Sequence, residues 1–164
     1  MTPASTPATA TAGTAAPSPA YRFALRVYYE DTDASGVAYH ANYLRWFERA
    51  RTEWLRALDA SQERMRLEWS IAFTVASLEI RYLRPARLDD ALEVETVVSR
   101  LRGASLEFEQ TLYRAGENRA LATVQVRIGC VDAASFRPCP IPAALAAGMA
   151  RRAGASDDEK GSTA

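Results

Sequence analysis

The sixteen residues from Tyr28 to Tyr43 read Y-Y-E-D-T-D-A-S-G-V-A-Y-H-A-N-Y, and Glu30, Asp31, Asp33 and His40 put four acid or imidazole groups within eleven positions. A carboxylate can attack an acyl carbon or take a proton from water, and free backbone N–H groups can hold the oxyanion that forms. Both features aimed at one ligand suit acyl transfer. The residue types alone also fit a plainer role, with Asp31 and Asp33 as Asx turns and His40 bonded to backbone. Asp31-x-Asp33-x-Ser35-Gly36 matches the opening of a calcium loop, but the twelfth position from Asp31 is Asn42, where the bidentate Glu belongs. His40 is the single histidine, which excludes a His-rich metal site. The chain has no G-x-S-x-G elbow, no P-loop and no G-x-G-x-x-G after a strand.

These residues need a strand before them and a helix after them. Phe23, Leu25, Val27 and Tyr29 alternate with Arg22, Ala24, Arg26 and Tyr28, which predicts a strand over Tyr21–Glu30. Turn formers follow, then helical spacing from about Asn42, a plausible N-cap, to Ala60. Leu44, Phe47, Ala50, Trp54, Leu55 and Leu58 form its apolar stripe, opposite Arg45, Arg49, Glu53 and Arg56. Residues 61–71 read as a short helical turn and a loop. The period then becomes two, with strands expected at Phe73–Leu83, Ala91–Leu101, Ser105–Arg114 and Arg119–Val131, and a short helix from Pro142. Short connections favour antiparallel neighbours, so the pattern is one α+β domain. Its expected extent is 21–150, between disordered tails at 1–20 and 151–164.

Composition narrows the function. The 164 residues are 48% hydrophobic, enough for one core, and 20 basic residues balance 20 acidic ones. That balance argues against nucleic acid as a partner. Cys130 and Cys139 lack metal-ligand spacing and read as reduced thiols, which suits the cytoplasm. No apolar run is long enough for membrane insertion, and the N-terminus lacks the charged and apolar regions of a secretory signal.

The stretch Val27–Leu55, V-Y-Y-E-D-T-D-A-S-G-V-A-Y-H-A-N-Y-L-R-W-F-E-R-A-R-T-E-W-L, strongly resembles the small thioesterases encoded with the Tol-Pal cell-envelope system. These belong to the 4-hydroxybenzoyl-CoA thioesterase branch of the hot-dog superfamily. Weaker similarity covers Arg81–Asp90, and residues 21–140 fit the layout. The resemblance implies a hot-dog fold, a five-stranded antiparallel sheet wrapped around the long helix, and hydrolysis of an acyl-CoA thioester. It implies a homo-oligomer, a dimer or a homotetramer, with acyl sites at subunit interfaces. Asp33, the second Asp of D-x-D, would be the catalytic carboxylate, with His40 beside it. Backbone N–H groups at Tyr39 and His40 would polarise the carbonyl. Ser35 departs from the glycine common at its position. Arg84, Arg87, Arg100 and Arg102 flank strand ends where CoA phosphates could be held, because arginine pairs its donors to phosphate oxygens. No metal or bound cofactor is implied. Two rival readings keep the fold: a thioesterase acting on acyl carrier protein, and a non-catalytic acyl-binding or scaffold module of an envelope or lipid-synthesis complex.

Overall fold

The computed structural model describes residues 20–153. The expected tails lie outside the described residues, except for Ala20 and residues 151–153, and the latter continue a helix beyond the expected boundary. In order, the chain forms β1 (Tyr21–Arg26), a 3-10 turn (Tyr29–Asp31), α1 (His40–Arg56), α2 (Gln62–Trp69), β2 (Ile71–Tyr82), β3 (Ala91–Arg102), β4 (Ser105–Arg114), β5 (Ala120–Asp132) and α3 (Ala143–Ala153). The strands make one antiparallel sheet ordered β1-β3-β4-β5-β2. With α1 packed on it, this is the α+β hot-dog arrangement that the resemblance implies.

The alternating residues of the sequence bury one face of this sheet. Leu92, Val94, Leu106, Phe108, Leu112, Ala122, Val124, Val126, Ile128 and Cys130 are all buried. Three expectations change at the first strand and the long helix. β1 ends at Arg26, because the Asp31 carboxylate accepts the Tyr28 N–H at 2.8 Å and curls the chain into a 3-10 turn. Tyr29 is therefore 82% exposed instead of facing the core. The long helix starts at His40 with Tyr39 as its N-cap, and Asn42 sits inside the first turn. The helix is also rotated from the expected stripe. Tyr43 and Trp46 join Phe47, Ala50, Trp54 and Leu55 in the core, while Leu44 is only partly buried and Leu58 lies past the helix end. Residues 61–71 are more regular than expected, since the Ser61 hydroxyl caps α2 by accepting the Arg64 N–H at 3.1 Å.

One polar group sits between helix and sheet. Gln110 is fully buried on β4, where Nε2 donates to the Phe47 carbonyl and to Thr96 Oγ1, both at 3.0 Å. Its Oε1 accepts from Arg51 Nη1 at 2.7 Å. Each polar atom of the side chain thus has a partner, the condition under which burying it is tolerable. Gln110→Leu keeps similar bulk but strips Arg51 and Thr96 of a partner. Urea unfolding should show a loss of about 1–3 kcal/mol with an unchanged denaturant slope. Wild-type stability in this variant would mean that the network is energetically idle.

Candidate active site

The junction between β1 and α1 is closed by Asp31. Its carboxylate accepts the Tyr28 N–H, and its carbonyl accepts the Tyr39 N–H at 2.7 Å and Asn42 Nδ2 at 3.0 Å. A single antiparallel bridge, Thr32 to Ala38, continues the closure. Asp31 is 8% exposed, and its carboxylate points at its own backbone.

Asp33 sits beyond that bridge, in the open. Its N–H donates to the Val37 carbonyl at 3.1 Å, and Gly36 N–H donates back to the Asp33 carbonyl at 3.0 Å. The turn needs Gly36 at φ +78°, a conformation that a Cβ would strain. Oδ1 of Asp33 accepts both the Ser35 N–H, at 2.8 Å, and the Ser35 hydroxyl. This is the Asx turn read from residue type, and it occupies only one oxygen. Among the described residues Oδ2 has no donor. The Ser35 hydroxyl and N–H hold the Asp33 carboxyl below its ordinary value, with a smaller contribution from His40 in the same direction. Asp33 is thus an exposed, ionised carboxylate with one oxygen fixed and the other available.

The start of α1 follows this turn, with His40 near enough to act on the Asp33 carboxyl. Of the two donors expected from the sequence, the Tyr39 N–H is occupied by Asp31, and Asn42 N–H donates to the Tyr39 carbonyl at 2.9 Å. Among the described residues the N–H groups of His40 and Ala41 have no acceptor, so the donor pair lies one residue further along than expected. The positive end of the helix dipole adds to them. Neighbouring chain fixes this end of the helix. Ala38 N–H donates to the Ala86 carbonyl, and Ala86 N–H donates to Tyr43 Oη, each at 2.9 Å. Tyr82 Oη donates to the His40 carbonyl at 2.9 Å. Sequence reasoning passed over Tyr43 and Tyr82; the weaker similarity across Arg81–Asp90 is the only signal that covers Tyr82.

The four arginines separate. Arg84 is tied into the fold, with Nε on the Ala120 carbonyl at 3.2 Å, Nη2 on the Arg119 carbonyl and an ion pair to Glu117 at 3.3 Å. Arg87 is exposed, one residue after the Ala86 whose carbonyl accepts the Ala38 N–H, and its own N–H donates to Asp90 Oδ2 at 2.9 Å. Arg100, paired with Glu107 at 3.6 Å, and the exposed Arg102 stand at the far end of β3. That end is roughly 30 Å along the strand from Ala91. Along the chain, then, His40 is the expected site residue that acts on the Asp33 carboxyl, Arg84 is held by Glu117, and Arg100 and Arg102 stand at the opposite end of β3 from Ala91.

Known proteins resemble this chain in both sequence and fold. Residues 27–149 match the family model described as the thioesterase-like superfamily. The chain is 48% identical over 122 residues to the acyl-CoA thioesterase YbgC of Haemophilus influenzae, spanning 74% of this chain and 88% of that one. It is 45% identical over 127 residues to the acyl-CoA thioester hydrolase YbgC of Escherichia coli O6:H1, spanning 77% and 93%. A probable thioesterase from Bartonella henselae superposes with a TM-score of 0.71 at 36% identity, covering 76% of this chain and all of the other.

Ser35→Ala should raise the Asp33 pKa toward the ordinary carboxylate value, as followed by carbon NMR of the side-chain carboxyl. A carboxyl held low in the folded state adds stability above its unfolded pKa, about 3.9, and loses it as pH falls through the folded value. The variant should narrow that acid window. An Asp33 titration unmoved by the substitution would remove the Ser35 hydroxyl as a cause and leave the Ser35 N–H.

Proposed function

The chain belongs to the thioesterase-like superfamily and is a thioester hydrolase, and from that premise we propose that it hydrolyses an acyl-CoA with Asp33 as the driving carboxylate. The observation that carries this reading is an ionised Asp33, influenced by His40, whose Oδ2 has no partner among the described residues, as is also true of the His40 and Ala41 N–H groups at the helix start. The thioester carbonyl oxygen docks on the His40 and Ala41 N–H groups. Asp33 then either takes a proton from water, which adds to the carbonyl carbon, or adds to that carbon itself, with water cleaving the acyl-enzyme afterwards. Both routes break the C–S bond, release CoA with its thiol protonated, and leave the free acid. His40 borders the carboxylate and contributes through its backbone. The 29-residue likeness over Val27–Leu55 favours the 4-hydroxybenzoyl-CoA branch, the kind encoded with Tol-Pal systems, and a cytoplasmic setting.

A second copy would complete the site. β2 is an edge strand, and Val75, Leu78, Tyr82 and Leu83 are exposed along it and just past its end. Pairing two such edges about a two-fold axis removes the open ladder. A cavity of about 130 Å³ between α1 and the sheet has an apolar wall that includes Leu55, Phe73, Phe108 and Ile128 and a polar wall that includes Glu48 and Arg51. Its β2 lining residue Phe73 stands nine residues along the strand from Tyr82. That is roughly 30 Å from His40's end of the strand. Antiparallel edge pairing would bring each cavity to the partner's Asp33, giving an acyl pocket at the interface. The partner's Arg100 and Arg102 could then reach the same site as Arg87 to hold CoA phosphates. Two such dimers would form the homotetramer. Light scattering at micromolar concentration should give at least twice the 18.0 kDa chain mass. A monomer there would undo this part of the proposal.

Asp33→Asn tests the chemistry. Asn preserves the Asx turn, so the melting temperature should hold, while kcat for thiol release from acyl-CoA should fall by about 10²–10⁴. Asp31→Asn is the control, and should disturb stability at the junction more than kcat. A folded Asp33→Asn protein with most of its kcat would contradict the assignment. Running the same assay on acyl carrier protein thioesters separates the two enzyme readings. Tight acyl-CoA binding with no thiol release by the wild type would point to the scaffold role.

A further inference from the structure

The hydroxyl of Tyr82, at the end of β2, donates to the His40 carbonyl at 2.9 Å. That carbonyl belongs to the same peptide plane as the Ala41 N–H. In a trans peptide the two groups point in opposite directions, and in a helix the N–H points toward the N-terminus. The Tyr82 bond therefore sits at one end of a dipole whose other end is a donor without an acceptor among the described residues, at the start of the helix that follows the Asp33 turn. Chains of hydrogen bonds polarise one another, so a donor on the carbonyl strengthens the N–H on the opposite side.

Tyr82 is well held for such a role. Its ring meets His40 edge-on at 6.4 Å and Tyr43 edge-on at 5.2 Å. Tyr43 is itself fixed by the Ala86 N–H. β2 is hydrogen-bonded to β5 as far as Tyr82, opposite Ala122, so the hydroxyl is carried by sheet and not by loop. Burial, reinforced by the Tyr43 phenol, pushes the Tyr82 phenol above its ordinary value and keeps it a donor across the neutral range.

We propose that Tyr82 is a positioning residue for thioester hydrolysis, its hydroxyl orienting and polarising the His40–Ala41 peptide so that the Ala41 N–H meets the carbonyl oxygen as negative charge develops there. The inference rests on the reading that helix-start N–H groups hold that oxygen. Its effect is on the transition state, where the oxygen is most negative, and not on the bound substrate.

Tyr82→Phe removes one oxygen and keeps the ring contacts. Its melting temperature should stay near that of wild type. We expect kcat to fall about three- to tenfold, the worth of one neutral hydrogen bond, with KM within about twofold. An amide-to-ester replacement at Ala41, introduced by coding an α-hydroxy acid, deletes the N–H itself. It should lower kcat further, and adding Tyr82→Phe to it should cost little more. Full kcat in the ester variant would overturn the helix-start reading and this inference with it. A reduced kcat in the ester variant with the full Tyr82→Phe loss on top would leave that reading standing and overturn the role of Tyr82. An unchanged kcat in Tyr82→Phe, or a change confined to KM, would overturn it as well.

Discussion

The site depends on the way Asp31 closes the loop between β1 and α1. Three N–H donors, from the backbone of Tyr28 and Tyr39 and the side chain of Asn42, converge on two of its oxygens. One carboxylate oxygen takes the Tyr28 N–H, which offsets part of the cost of burying the charge, and the carbonyl beside it is doubly engaged. This knot stops β1 early, fixes the helix N-cap and uses up the Tyr39 donor. The donors left over are those of the next two residues. The division of labour between two aspartates follows from their surroundings. Asp31 is surrounded by its own backbone, and Asp33 is lifted into solvent by a turn that its own side chain helps to build.

That arrangement explains why an exposed carboxylate can be well placed. Exposed side chains usually sample several rotamers, but Asp33 spends one oxygen on Ser35 and so holds the other in a fixed direction. The same bonds favour the ionised form, so the group is ready as a base or nucleophile well below neutral pH. The constraint is local, made by residues within four positions of Asp33. Long-range structure is needed only to place the helix start that follows it.

Much of this was legible in the sequence because it is local. The D-x-D turn, the five alternating strands and the long helix all follow from spacing, and Val27–Leu55 carried the family. What escaped depends on neighbours distant in the chain. Gln110 occupies an inward position between Phe108 and Leu112, yet its residue type argues for solvent, and only the Phe47 carbonyl and Thr96 explain its burial. The helix face was misjudged because Tyr43 and Trp46 are amphipathic; Tyr43 is buried because the Ala86 N–H meets its hydroxyl. Arg84 looked available until the structure paired it with Glu117, 33 residues away. The strand order cannot be read from connection lengths, since β2 reaches its partner β5 only after two other strands intervene.

Apolar packing between a helix and a sheet is non-directional and leaves the helix free, in energetic terms, to slide along its axis. The Gln110 amide removes that freedom, because it recognises one particular carbonyl out of a repeating row. A shift by one residue would move the row about 1.5 Å, and a shift by one turn about 5.4 Å. Either would leave the amide without its acceptor. His40 lies seven residues before Phe47 on the same rigid rod, so a pin in the middle of the core sets the height of the helix start. The height of the His40 and Ala41 N–H groups is thereby gauged about 10 Å away, by an amide buried in the core.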